Sequence, residues 1–157
     1  MKRITRILAA IASVFALFSC IQHAAMASDP PLHKEANGLP FMRITVTSNG
    51  NTVVYILNDS GASRSLYNQL PMIVDVENYG GIEKIFYPPE KLNTADTPLA
   101  KGANAGTLAY YAPWGDVVMF YASFGSAAGL YELGHVVFGQ EQIEELSGTI
   151  RIEKEVK

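Results

Sequence analysis

The 157-residue chain has one cysteine, one tryptophan and three histidines, and only 17% of its residues are charged. Cys20 has no partner within the chain, so no internal disulfide can form and stability must come from a packed core. Beyond the N-terminal region only His33 and His135 remain, with no spacing that would gather three ligands around a metal. No metal or other cofactor is expected. The longest apolar run, Ile7 to Ile21, covers 15 residues before Gln22 and His23 interrupt it. A membrane-spanning helix needs roughly 20. Basic residues are also scarce. Without residues 1–27 the chain keeps 12 − 3 = 9 Lys and Arg against all 15 Asp and Glu, a balance of −6. Nucleic acid is therefore not an expected partner, because phosphate recognition needs a basic surface.

What the N-terminus does contain is the layout of an export signal. Lys2, Arg3 and Arg6 precede the apolar run, and Ala25-Met26-Ala27 offers a small-residue cleavage site before Ser28. Residues 1–27 are thus expected to be a signal peptide. A second route competes, since Leu17-Phe18-Ser19-Cys20 resembles a lipobox, in which Cys20 is lipidated and becomes the first residue of a membrane-anchored protein. Either route places the domain outside the cytoplasm, periplasmic, secreted or lipid-anchored in the envelope. Residues 28–40 hold three prolines and no apolar periodicity, which reads as a tether.

From residue 41 to residue 157 the pattern is that of one β-rich domain with a single core. Asn49-Gly50 between two β-rich runs predicts a hairpin over residues 42–57, both turn positions tolerating positive φ. Further strands are expected at Met72–Val76, Glu83–Tyr87, Thr107–Tyr111, Val117–Tyr121, His135–Phe138 and Thr149–Glu153, with short helices at Ala62–Leu70 and Gln140–Leu146. About eight strands and two short helices point to a mainly β fold, a closed or nearly closed barrel that leaves no exposed edge.

Two stretches invite chemistry. Asn58-Asp59-Ser60-Gly61-Ala62-Ser63 matches the Asp-Ser-Gly turn of aspartic proteases, whose carboxylates work as a proton-sharing pair. A single motif supplies half of such a site. Ala62, Leu66 and Leu70 lie four apart and Pro71 ends the run, so Asp59 or Ser60 is expected to cap a helix. Gly125-Ser126-Ala127-Ala128-Gly129 lacks the spacing of a strained nucleophile turn, and Glu141, Glu144 and Glu145 read as a solvated face.

The second stretch is Tyr110 to Gly125, where five Tyr or Phe and the only Trp surround a Pro-Trp-Gly turn. Strand alternation puts Tyr110 and Tyr111 on opposite faces, and likewise Phe120 and Tyr121, so half of these rings should fill the core. The others form either a second apolar layer under a loop or a groove for a peptide or small ligand, with Trp114 as one wall.

Several of these motifs together carry a family resemblance. Gln69-Leu70-Pro71, Asn78-Tyr79, Glu83-Lys84, Pro88 with Leu92, Tyr110 to Gly115, Phe120-Tyr121, Phe124-Gly125, Gly129 to Gly134 and the last helix make the chain similar, over residues 42–154, to the bacterial cyclophilin-like fold family. The resemblance implies the barrel of the peptidyl-prolyl isomerases and, at residues 59–60, a helix start. True cyclophilins use an arginine beside an apolar proline pocket. Here the arginines of the domain are Arg43, Arg64 and Arg151, outside the aromatic segment, and the Phe-Met-x-Gln-Gly-Gly stretch is absent. The expected function is that of an exported, non-catalytic module binding an unidentified peptide or small apolar ligand, with Glu83, Tyr111, Trp114, Tyr121 and Phe124 as candidate binding residues and no catalytic residue. A weak prolyl isomerase is the alternative, and an aspartic protease using Asp59 the third.

Overall fold

The structure, a computed structural model, describes residues 41–155. The expected export signal, Cys20 and the expected tether of residues 28–40 lie outside the described residues. Eight strands follow one another: β1 (Arg43–Ser48), β2 (Asn51–Leu57), β3 (Met72–Tyr79), β4 (Glu83–Phe86), β5 (Thr107–Tyr111), β6 (Asp116–Phe120), β7 (Leu130–Phe138) and β8 (Gly148–Lys154). Helix α1 (Gly61–Asn68) connects β2 to β3, and a 3-10 turn (Gln140–Gln142) connects β7 to β8. The strands close into an antiparallel barrel in the order β1-β2-β7-β5-β6-β4-β3-β8, with β8 returning to β1.

Local chemistry accounts for much of this. Asn49 (φ 49°) and Gly50 (φ 84°) take the positive-φ turn that the β1–β2 hairpin requires. Ser60 is the N-cap of α1, its Oγ accepting from the Ser63 backbone N–H. Ala62, Leu66 and Leu70 face the interior as their spacing predicts. They join Ile44, Val46, Tyr55 and Leu133 in the barrel core.

Three expectations need correction. The second helix, expected over Gln140–Leu146, is a run of i→i+3 turns: Gln142, Ile143, Glu145 and Leu146 donate to Gly139, Gln140, Gln142 and Ile143. Ile143 and Leu146, three apart, are both fully buried, and the tighter winding puts residues at that spacing on one side. Strand β7 begins at Leu130, not His135. Its pairing with β5 skips a residue, Leu108 facing Gly134 and Ala109 facing Glu132, so a bulge breaks the alternation that would have revealed its first half. Gly134 is needed there because a Cβ would stand 2.1 Å from the Ile56 carbonyl oxygen of β2. Lastly, β3 runs on to Tyr79 and β6 is shifted by one residue, so that Asp116 heads it and Tyr121 falls after it.

The apolar residues form two clusters, and the strands of one barrel wall contribute to both by alternation. Leu108, Tyr110, Val117, Met119 and Phe86 point into the barrel. Ala109, Val118, Phe120 and Ile85, between them in sequence, point outward and are buried with Ala100, Ala103 and Leu130. The outer cluster exists because the loops on either side of β5 and β6 are tied over this wall. Ala100 N–H donates to the Leu130 carbonyl at 2.9 Å, and Phe124 N–H to the Ala103 carbonyl at 3.0 Å.

Candidate functional site

Where the loop cover stops, the outer face of β3, β4, β6 and β5 continues as an open cleft of about 400 Å³. Register explains its membership. Tyr79 on β3 faces Glu83 on β4, Glu83 faces Phe120 on β6, and Asp116 at the head of β6 faces Tyr111 on β5. The floor is apolar, made by Val118, Phe120 and Leu130.

Trp114 stands over this floor on the turn between β5 and β6, where its own N–H and that of Gly115 both donate to the Tyr111 carbonyl. It is 50% exposed. Tyr79, 46% exposed, and Tyr111, half-buried, meet it edge to face, with centroids 5.3 and 5.5 Å away and planes at 87° and 77°. On the other side Phe124, 49% exposed, stacks on the buried Phe120 at 5.7 Å with planes 15° apart. Such pairs hold rings in place by about 0.5–1.5 kcal/mol each beyond their buried area. The walls therefore keep their positions with an open side.

Two carboxylates complete the lining. Asp116 is 2% exposed, and its Oδ1 has no hydrogen-bond partner. Burial raises its pKa above the ordinary carboxylate value, partly opposed by a backbone N–H. Glu83 is also raised, first by burial and then by repulsion from Asp116. The charge of Asp116 reaches Tyr87 as well, whose hydroxyl is raised first by desolvation and then by Asp116, Glu77 and Tyr79. No Lys, Arg or His is among the residues lining the cleft.

Of the five residues singled out in the sequence, Glu83, Tyr111, Trp114 and Phe124 come together in this cleft. Tyr121 is not among its lining residues. Alternation puts it on the same face as Val117 and Met119, so its ring packs against the barrel core while its hydroxyl donates to Asn78 Oδ1 at 2.8 Å. Asp116 and Tyr79 were missed. A signal for Asp116 was present, an acidic residue at the start of the otherwise apolar Asp-Val-Val-Met-Phe. Nothing in the pattern marked Tyr79, which belongs to the cleft only because β3 extends past Val76.

The Asp-Ser-Gly stretch is built differently from a proton-sharing pair. Asp59 is exposed and forms an ion pair with Arg64. Ser63 Oγ lies 2.7 Å from Asn58 Oδ1 and 2.9 Å from the Leu133 carbonyl oxygen, which fastens α1 to β7. Gly61 is required by close approach, since a Cβ would sit 2.2 Å from the Ala95 carbonyl oxygen.

Comparison with known proteins agrees with the barrel. Among curated proteins no match was found. Among solved structures, the solution structure of a hypothetical protein from Archaeoglobus fulgidus superposes with a TM-score of 0.57 at 15% identity, covering 73% of this chain and 95% of that one. A likeness at that identity speaks for the fold alone. The model of the cyclophilin-like family matches residues 46–155, which is 110 of the 157 residues and spans the barrel from within β1 to the end of β8. On that match, the chain belongs to the cyclophilin-like family.

Proposed function

We propose that this chain is an exported, non-catalytic binding module that takes a peptide or small ligand with an apolar body into the cleft under Trp114. The observation that carries the reading is the exposure of Trp114 over an apolar floor, with Tyr79 and Tyr111 bracing it. Large rings usually pack because each removes much apolar area from water. Here Trp114, Tyr79 and Phe124 stay about half exposed while surrounding a concavity, the form of a small-molecule site. The isomerase reading draws no support from the cleft, whose lining has no arginine to set beside a twisted amide.

Replacing Trp114 by Ala tests the assignment. A ring with two edge contacts should cost about 1–3 kcal/mol on removal, the sum of two such pairs. A buried wedge would cost about 3–5 kcal/mol, a large part of the stability of an ordinary domain. Thermal unfolding of Trp114→Ala should therefore show a folded protein with a modestly lowered Tm. A collapse of the fold would return Trp114 to the core and remove the cleft reading. A prolyl-isomerisation assay on the unmodified protein should give the uncatalysed rate.

A further inference from the structure

We propose that the ligand of this cleft is an organic cation bearing N–H donors, a primary alkylammonium or guanidinium head on an apolar body, held between Asp116, Glu83 and the rings of Tyr79, Tyr111 and Trp114. The inference rests on the binding-module reading and gives that site its chemistry.

The strongest reason is Asp116. A carboxylate buried to 2% exposure with an orphaned oxygen is costly to the folded state, and among the described residues no group donates to that oxygen. Asp116 is also one of the residues lining the cleft, so a ligand seated there lies beside its negative charge. An orphaned carboxylate oxygen accepts hydrogen bonds, which favours a cation with N–H groups over a quaternary ammonium. Glu83 adds a second negative charge to the same lining, and no basic side chain there offsets either.

The rings point the same way. Tyr79 and Tyr111 each stand nearly perpendicular to Trp114, so the walls present faces in different directions rather than one flat platform. A stacking platform suits a planar ligand. A cage of angled rings suits a compact cation, attracted by the negative π faces, while the floor of Val118, Phe120 and Leu130 accepts a hydrocarbon body. A divalent metal fits less well: among the described residues no group of three or more His, Cys, Asp and Glu side chains could hold one. Two carboxylates fall short of the six to eight oxygens a calcium ion takes. Lys91 is one alternative counter-ion, its stem 4.0 Å from where a Cβ on Gly115 would stand, yet no ion pair joins it to Asp116 among the described residues.

The test uses Trp114, the only tryptophan, as its own reporter. Its fluorescence is titrated with 2-phenylethylammonium, with the near-isosteric neutral 2-phenylethanol and with 3-phenylpropionate. The ammonium should bind at least roughly tenfold more tightly than the alcohol, about 1.4 kcal/mol, and the carboxylate should bind weakest. Asp116→Asn, which keeps the shape of the side chain, should erase the preference, while Lys91→Met should preserve it. A second arm needs no variant: added salt should weaken the ammonium and leave the alcohol unchanged. Lowering the pH toward the raised Asp116 and Glu83 pKa values should do the same. The other ionisable side chains around the cleft are Glu77, Tyr79, Tyr87, Tyr111 and Lys91, and the Asp116→Asn variant separates the contribution of Asp116 from theirs. Equal binding of alcohol and ammonium overturns the cation and leaves the cleft as an apolar site, and a preference that survives Asp116→Asn overturns Asp116 as the group that holds it. Silence from all three probes up to their solubility overturns the cation as well. The stability of Trp114→Ala judges the cleft itself separately.

Discussion

At the scale of single residues, Asp116 is the one Asp or Glu in the buried class among the described residues, and its position has a sign that stability measurements can read. Its folded-state pKa is raised by burial, so between the unfolded value and the raised one the folded chain binds more protons than the unfolded chain. Stability therefore decreases as pH climbs through that window and stays lower above it. Glu83 acts in the same sense. Glu153 acts in the opposite sense: Arg151 lowers its pKa, so its contribution is present above its ordinary value and lost as pH falls through the lowered one. That places the Glu153 effect at more acidic pH than the Asp116 effect. Asp116→Asn should hold or raise the Tm at neutral pH and flatten the pH dependence on the acid side of neutrality, by about 1.36 kcal/mol for each unit of pKa displacement removed. Melting curves across that range check it, and a variant markedly less stable at neutral pH would show that the charge has a partner in solution.

At the scale of elements, the Asp-Ser-Gly stretch shows how one motif can be spent on docking a helix. Ser60 caps α1, Gly61 lets it approach Ala95, and Ser63 ties it to Asn58 and to β7. Ser63→Ala removes this donor while the Leu133 carbonyl keeps the Asn58 N–H, so the loss should be about 0.5–1.5 kcal/mol, whereas Asp59→Asn at an exposed ion pair should stay within about 0.5 kcal/mol. Urea unfolding of the two variants separates a docking device from a catalytic pair. If Asp59→Asn proved the more damaging, the carboxylate would have a role beyond Arg64. The helix itself was legible, because four-residue spacing before a proline has few other readings. The last turn was misread as a helix because Gln140 to Leu146 is too short for spacing to separate a 3.6-residue period from i→i+3 turns.

At the scale of the whole molecule, barrel closure removes the free strand edges on which peptides are often added as an extra strand. Recognition by the described residues therefore falls to side-chain surfaces, of which the aromatic cleft is the candidate. Export remains a proposal drawn from residues 1–27, and its check is the N-terminus of protein recovered from an exporting host. Mass spectrometry should find Ser28 as the first residue. A lipidated Cys20 would move the module onto a membrane without altering the cleft, and an intact leader on cytoplasmic protein would overturn export altogether.

The sequence by itself determined the β class, the Asn49-Gly50 turn, the capped helix and the count of strands, since each depends on residues within a few positions of one another. Alternation also separated Tyr110 from Tyr111 and Phe120 from Tyr121. What alternation cannot say is what lies beyond each face. Phe120 points away from the barrel and is nonetheless buried, because the loop carrying Ala100 and Ala103 and the start of β7 at Leu130 cover it. Tyr121, on the face of Val117 and Met119, packs against the barrel core instead of the cleft. Asp116, Glu83 and Tyr79 meet only because β3, β4 and β6 pair in one register, bringing together positions 79 and 116 that are far apart in the chain. The strands were written locally; the charge left without a partner in an aromatic cleft is a product of their pairing, and only the tertiary structure fixes it.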